Sequence, residues 1–223
     1  MAVISTKSLH SGYGKKVILQ GVDFEAGNGI TVVVGANGSG KSTVLKSMVS
    51  QCDIMSGSVM LEGREITGMR PHRIARMGVC YMPQRSNVFQ ELTIAENLAI
   101  SSGSSSAALD LFPELDQGRG RKASQLSGGQ RQMLAMAMAV TAHPKVLLFD
   151  EPTAALSPKN ATAVFAKIRE VQKALGTCVV LVEQNARSAL EICDNAYLLV
   201  GGTVRYTGPP AELSADLRSY LGV

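Results

Sequence analysis

The chain has 223 residues, enough for one large domain or two small ones, and 45% of them are hydrophobic, so a sizeable core can be buried. A net charge of +4, scattered basic residues and only 4% aromatics argue against a nucleic-acid-binding surface. No apolar run approaches a membrane-spanning length, the first ten residues lack a charged-then-apolar leader, and the four separated cysteines show no CxxC spacing. A soluble, cytosolic polypeptide without a disulfide framework or a cysteine metal site is expected.

Along the chain, "VILQGVDFEA" (17–26) alternates apolar and polar residues, as an antiparallel strand does. "ITVVVG" (30–35) is apolar on both faces, the pattern of a strand covered on both sides of a sheet, and a helix candidate follows at 41–50. "GSVMLEGREI" (57–66) alternates again, and the basic stretch 64–78 reads as a solvated helix face. Residues 85–142 carry little strand signal. They hold helix candidates at 93–100, 106–112 and 129–142, with "SSGSSS" (101–106) as a flexible connector and Met133, Met136 and Met138 as core packing of the last helix. "VLLFD" (146–150) and "CVVLVE" (178–183) are apolar throughout, and helix candidates follow at 158–175 and 186–192. Ser157 followed by Pro158 has the chemistry of an N-cap and first helical residue. "AYLLVGGTVRYTG" (196–208) reads as a hairpin across Gly201-Gly202. Cys80 and Cys178 are expected to be small buried hydrophobes, and His10, His72 and His143 are isolated and structural or solvated. The alternation predicts one α/β domain: a core (1–84 and 143–223) with a mostly parallel sheet, an antiparallel β portion, and an inserted helical block (85–142).

Residues 35–42, "GANGSGKS", fit G-x-x-x-x-G-K-[ST] between a buried strand and a helix, the context that gives the motif its meaning. Glycines let backbone N–H groups curl around phosphate oxygens, and the helix N-terminus adds unpaired donors and partial positive charge. Lys41 is placed to reach the β/γ-phosphates, and the Ser42 hydroxyl to coordinate Mg²⁺. Further on, "VLLFDEP" (146–152) drives two carboxylates to the carboxyl edge of the sheet, where ligands of such folds bind. Asp150 suits Mg²⁺, and Glu151 suits the polarisation of an attacking water. A second glycine turn, "LSGGQ" (126–130), precedes the helix "QRQMLAMAMAV" and offers a hydroxyl and bare helix N–H groups to an anion, without a lysine of its own. Such a site could complement a nucleotide held by another copy's first turn.

Together with the glutamine of "YMPQ" (81–84), these segments stand in family order over most of the chain. The sequence resembles the nucleotide-binding subunit of an ABC transporter. More narrowly, "VFQELTIAENL", "AALSP" and "LVEQNARSAL" resemble the LivF type of branched-chain amino acid uptake ATPase. The resemblance implies a P-loop (RecA-like) ATPase core that binds and hydrolyses ATP with Mg²⁺, paired head to tail with a second ATPase subunit, identical or paralogous. It places the nucleotide against Gly35, Asn37, Gly38, Ser39, Gly40, Lys41, Ser42 and Thr43 of one subunit and Ser127, Gly128, Gly129 and Gln130 of the other. It further implies that Tyr13 stacks on the adenine, that Gln84 binds Mg²⁺ or the water, and that Gln184 faces the γ-phosphate. An integral membrane permease and, indirectly, a solute-binding protein are the implied partners, at the inner face of the cell membrane; no nucleic acid is expected.

Two positions depart from the wider family. Gln184 stands where most members have a histidine; it can donate an amide hydrogen bond but cannot carry a proton. Ser157 stands at the usual aspartate position of the loop after the acidic pair. The segment 96–113 is also shorter than usual, on the side that would face a permease. A soluble ABC ATPase that clamps nucleic acid or a protein partner is the alternative, opposed by a single P-loop and the lack of sustained heptads. A small-molecule kinase or GTPase would leave "LSGGQ" unexplained.

Overall fold

The computed structural model describes residues 2–101 and 105–221, without the side chains of 105–107 and 216–221. In chain order the elements are β1 (Ile4–Tyr13), β2 (Lys16–Ala26), β3 (Gly29–Val34), α1 (Lys41–Met48), β4 (Asp53–Leu61), β5 (Arg64–Glu65), α2 (Pro71–Arg76), β6 (Val79–Met82), α3 (Ile94–Ile100), α4 (Ser105–Leu111), α5 (Gly128–Val140), β7 (Val146–Asp150), α6 (Pro158–Leu175), β8 (Cys178–Glu183), α7 (Ala186–Leu190), β9 (Asn195–Val200), β10 (Thr203–Gly208) and α8 (Pro210–Leu221). Part of the expected 101–106 connector, residues 102–104, lies outside the described residues.

Two sheets form. One has six strands in the order β10-β9-β3-β8-β7-β6, parallel except for the antiparallel β9–β10 edge hairpin. The other has the order β2-β1-β4-β5 and is antiparallel. The fold is therefore α/β with a mostly parallel sheet and a separate antiparallel one, as the strand patterns predict. The physical reason is plain in β3, β7 and β8. β7 and β8 are buried at every position, and β3 at every position after Gly29, because helices or the second sheet cover both faces.

The apolar side chains divide into two clusters across the six-stranded sheet. One lies under α5, α6 and α7, with Val32, Phe149 and Leu181 from the sheet. The other joins α1 and the antiparallel sheet to Val33, Leu148 and Val180. Alternate residues of the same strands serve opposite cores. Met136 is fully buried, while Met133 and Met138 are half-buried against the first cluster. Cys178 is buried and Cys80 partly so; burial pushes their thiols up to about 12 and about 11, so both are inert apolar fillers.

Several boundaries differ from the sequence reading. β1 carries no clean alternation, and β-bulges along its pairing with β2 and β4 explain why. The expected strand 57–66 begins earlier and splits into β4 and β5 at Glu62-Gly63, both at positive φ. The expected helices 41–50 and 186–192 each end two residues early, at Met48 and Leu190. α6 spans the expected 158–175, with Ser157 Oγ accepting from the Asn160 N–H.

Candidate functional site

β3 ends at Val34, and the chain turns through residues 35–40 into α1. Gly38 and Gly40 hold φ of 78° and 103°, a region costly for any side chain but glycine's. Gly35 is glycine for room: a Cβ there would lie 2.3 Å from the Leu199 carbonyl oxygen and 2.7 Å from Ser39 Oγ. The Ser39 hydroxyl is buried with no hydrogen-bond partner among the described residues. Lys41, only 4% exposed, folds back over the loop, its Nζ 2.9 Å from the Gly35 carbonyl and 3.2 Å from that of Ala36. A glycine-shaped cradle, a buried lysine and an unpartnered buried hydroxyl suit an anion with several oxygens.

The carboxyl ends of β7 and β6 bring the remaining groups to this loop. Asp150, 4% exposed, accepts from Ser42 Oγ at 2.7 Å through one oxygen and from the Tyr81 hydroxyl at 2.7 Å through the other. Burial and the bond to Asp150 push the Tyr81 phenol far above its ordinary range, so it remains a donor. Glu151 sits beyond the strand end at φ 46°, a left-handed conformation rare outside glycine, and its N–H still pairs with the Val182 carbonyl of β8. One of its carboxylate oxygens lies 3.5 Å from Lys41 Nζ; the other accepts from Gln84 Nε2 at 2.8 Å. Lys41, Ser42, Asp150, Glu151 and Gln84, read from separate stretches of sequence, thus form one connected set.

The second glycine turn is built differently from the sequence expectation of a bare anion site. Ser127 caps α5: its Oγ accepts from the Gln130 N–H, and the Gln130 carbonyl oxygen in turn accepts from the Ser127 N–H. The hydroxyl and one helix donor are thus already satisfied, because a capping box needs only this Ser-x-x-Gln spacing. The glycines have a packing reason as well. A Cβ on Gly128 would lie 2.9 Å from Leu156, and one on Gly129 would lie 3.3 Å from Asn160, so the segment after Glu151 seats directly on this turn. A cavity of about 600 Å³ brings Gln84, Gly128 and Leu156 to a common wall.

Tyr13 ends β1 with its ring 45% exposed and Lys46 Nζ 5.9 Å from the ring centroid. Asn37 is exposed on the first loop and Thr43 is buried within α1. Gln184 is exposed just past β8, beside Glu151 in a cavity of about 490 Å³. Of the three histidines, His72 and His143 line one cavity of about 850 Å³, and the His10 ring meets the Ser8 carbonyl.

Sequence reasoning assigned no role to Tyr81, Thr153 and Glu183. Tyr81 is the next-to-last residue of β6, which neighbours β7, and its place three residues before Gln84 is the signal in the sequence. Glu183 closes an otherwise apolar strand and is 2% exposed; its carboxylate accepts from the N–H and hydroxyl of Thr153 at 3.0 and 2.7 Å and from the Gln184 N–H at 3.2 Å. Burial raises its pKa, and the nearby Glu151 charge adds to the shift, against those hydrogen bonds. A charged residue ending a fully buried strand is a legible anomaly.

Residues 19–154 match the family model for the ABC transporter. The chain belongs to the ABC transporter ATP-binding family. This ABC ATPase is 48% identical to the probable branched-chain amino acid transport ATP-binding protein LivF of Archaeoglobus fulgidus, over 95% of this chain and 94% of that one. It is 36% identical to the high-affinity branched-chain amino acid transport ATP-binding protein BraG of Pseudomonas aeruginosa, over 99% of this chain and 100% of that one. It is also 32% identical, over 99% of this chain and 97% of that one, to the lipopolysaccharide export ATP-binding protein LptB of Acidithiobacillus ferridurans. Its fold superposes on a nucleotide-free ATP-binding cassette from an ABC transporter with a TM-score of 0.89 at 24% identity, covering 98% of this chain and 96% of that one. It is an ATP-hydrolysing subunit of a transporter. Among the described residues no helix is long and apolar enough to cross a membrane.

Proposed function

We propose that the chain energises an importer of branched-chain amino acids, hydrolysing ATP on behalf of a separate permease. The observation that carries this reading is the 48% identity to a LivF protein along nearly the whole of both chains, with BraG in support. The relatives also include LptB, a lipopolysaccharide export protein, so the direction and cargo rest on the degree of identity.

In this reading the loop 35–43 and α1 hold the triphosphate of ATP, with Lys41 and the N–H groups of Asn37, Gly38, Gly40 and Thr43 against its oxygens. The unpartnered Ser39 hydroxyl has room and need for such an acceptor. The Ser42 hydroxyl, the Asp150 carboxylate and the Gln84 carbonyl are hard oxygen donors, and the first two already meet at 2.7 Å. They suit Mg²⁺, which takes few protein ligands and completes its shell with phosphate and water. When bound it neutralises charge on the transferring phosphoryl group. Glu151 accepts a hydrogen bond from the attacking water and takes its proton. Gln84 orients that carboxylate, and Gln184 donates an amide hydrogen bond toward the γ-phosphate without exchanging a proton. Tyr13, exposed at the edge, stacks on the adenine.

A second copy or a paralogue completes the site head to tail. Its Ser127, Gly128, Gly129 and Gln130 would meet the γ-phosphate, the serine exchanging its internal capping bond for a phosphate oxygen. The large apolar side chains Phe89 and Ile100, each 53% exposed in the block 85–142, support a permease docking on that side, and with it a location at the inner membrane face. The test is uptake of labelled leucine into cells lacking this chain. Loss of uptake, restored by the parent and not by Glu151→Gln, is expected; unchanged uptake would refute the cargo assignment.

A further inference from the structure

We propose that Glu183 is a positioning residue for hydrolysis: its buried carboxylate clamps the turn that carries Glu151 to the strand end that carries Gln184, so that both groups face the γ-phosphate as one unit. The inference rests on the reading of Glu151 as the group that activates water.

The geometry is specific. β7 and β8 run parallel with Asp150 opposite Val182, so Glu183 emerges beside the residue that follows Asp150. One carboxylate oxygen gathers both the N–H and the hydroxyl of Thr153, two residues past Glu151, while the other takes the N–H of Gln184. None of the ion pairs among the described residues neutralises Glu183, so its three donors are neutral. A buried carboxylate without a cation is a costly way to tie two loops together. Glu151 needs such a tie. Its φ of 46° is a conformation that persists only when the surroundings over-determine it. The Val182 carbonyl fixes its N–H from one side and Thr153, through Glu183, fixes the turn from the other. Gln184 has no ring and no charge to lock its loop, and its N–H shares the same carboxylate.

The test uses the purified full-length chain with Mg·ATP, comparing Glu183→Ala, Glu183→Gln, Thr153→Val and Thr153→Ser with the parent. Glu183→Ala should lower kcat by about tenfold or more, as small misplacements of reacting groups do, with ATP affinity and KM within about twofold because Lys41 and its loop are untouched. Thr153→Val should show a smaller loss of the same kind, and Thr153→Ser should restore the parental rate. In the Glu151→Gln background Glu183→Ala should cost much less than it costs the parent, since only its hold on Gln184 is left to lose. Parental turnover in a folded Glu183→Ala, a loss that tracks ATP affinity, a Thr153→Ser as slow as Thr153→Val, or additive losses with Glu151→Gln would each overturn the proposal. If Glu183→Ala does not fold, the Glu183→Gln and Thr153 comparisons decide on the same criteria. Parental turnover in Glu151→Gln alone would instead refute the underlying reading of Glu151.

Discussion

Glu151→Gln separates binding from chemistry more cleanly than any other single change. The carboxylate sits 3.5 Å from Lys41 and 2.8 Å from Gln84. Replacing it by an amide keeps the shape and removes a base and a charge. A positioned general base contributes about 10² to 10⁴ in rate, or roughly 3–5 kcal/mol of barrier. Turnover at saturating Mg·ATP should fall by that factor. Affinity should move the other way. The Coulomb attraction between Lys41 and Glu151 is about 5 kcal/mol at an effective dielectric near 20, most of it offset by desolvation. Even 1 kcal/mol of net release frees Lys41 for phosphate and tightens binding about fivefold. Phosphate-release kinetics paired with equilibrium titration of ATP measure both. The variant is also expected to accumulate as an ATP-bound dimer by size exclusion. Parental turnover would remove Glu151 from the chemistry, and a tenfold weaker affinity would mean that its role is to shape the nucleotide site.

The remaining expectations follow from the same contacts. Lys41→Ala should weaken ATP binding itself by tenfold or more, read by the same titration, because a charge-assisted contact to phosphate is lost. Ser127→Ala, placed in the Glu151→Gln background, should abolish the ATP-trapped dimer while leaving ATP binding by the single chain intact; loss of the α5 cap should cost about 1 kcal/mol in a urea melt. Tyr81→Phe should leave Asp150 held by Ser42 alone and raise the Mg²⁺ concentration needed for half-maximal turnover by about threefold, the effect of a hydrogen bond worth roughly 0.7 kcal/mol. Asn97→Ala should be the most destabilising surgical change, by about 3 kcal/mol or more in urea, because the fully buried amide bonds the N–H of Phe89 and the carbonyls of Phe89, Leu92 and Thr93.

β3, β7 and β8 were legible because burial on both faces leaves an unbroken apolar run, and β7 and β8 start and stop where their apolar runs do. β1 was not, because its bulges shift the side-chain alternation that a strand pattern relies on. The glycine loop and the acidic pair were legible because each needs particular residue types at fixed spacing around a strand end. What spacing could not show is pairing across the chain. Tyr81 meets Asp150 only because β6 is the strand beside β7, and Thr153 meets Glu183 only because β8 is the strand on its other side. The second turn was legible as a helix start, but its Ser127 and Gln130 were read as free donors when the same Ser-x-x-Gln spacing satisfies them locally.

That internal satisfaction recurs throughout the site and bears on how it works. Lys41 is bonded to its own loop and to Glu151, Ser42 to Asp150, and Ser127 to Gln130. In the proposed reading each bond joins two groups that the chemistry needs separately. A triphosphate entering the loop therefore exchanges bonds, and the affinity it gains is the difference between the old partners and the new. Exchange at Lys41 would also release the constraint on Glu151, leaving that carboxylate bonded to Gln84, the residue just before the helical block. Gln84 shares a cavity wall with Gly128, and Leu156 seats on Gly128, so in the proposed reading these residues would couple occupation of the first loop to the posture of the second. An energy-coupling subunit needs its rate to depend on closure around the nucleotide. In the proposed reading, a base held by the lysine until phosphate displaces it ties the rate to occupation of the first loop, and the second copy's turn ties it to closure.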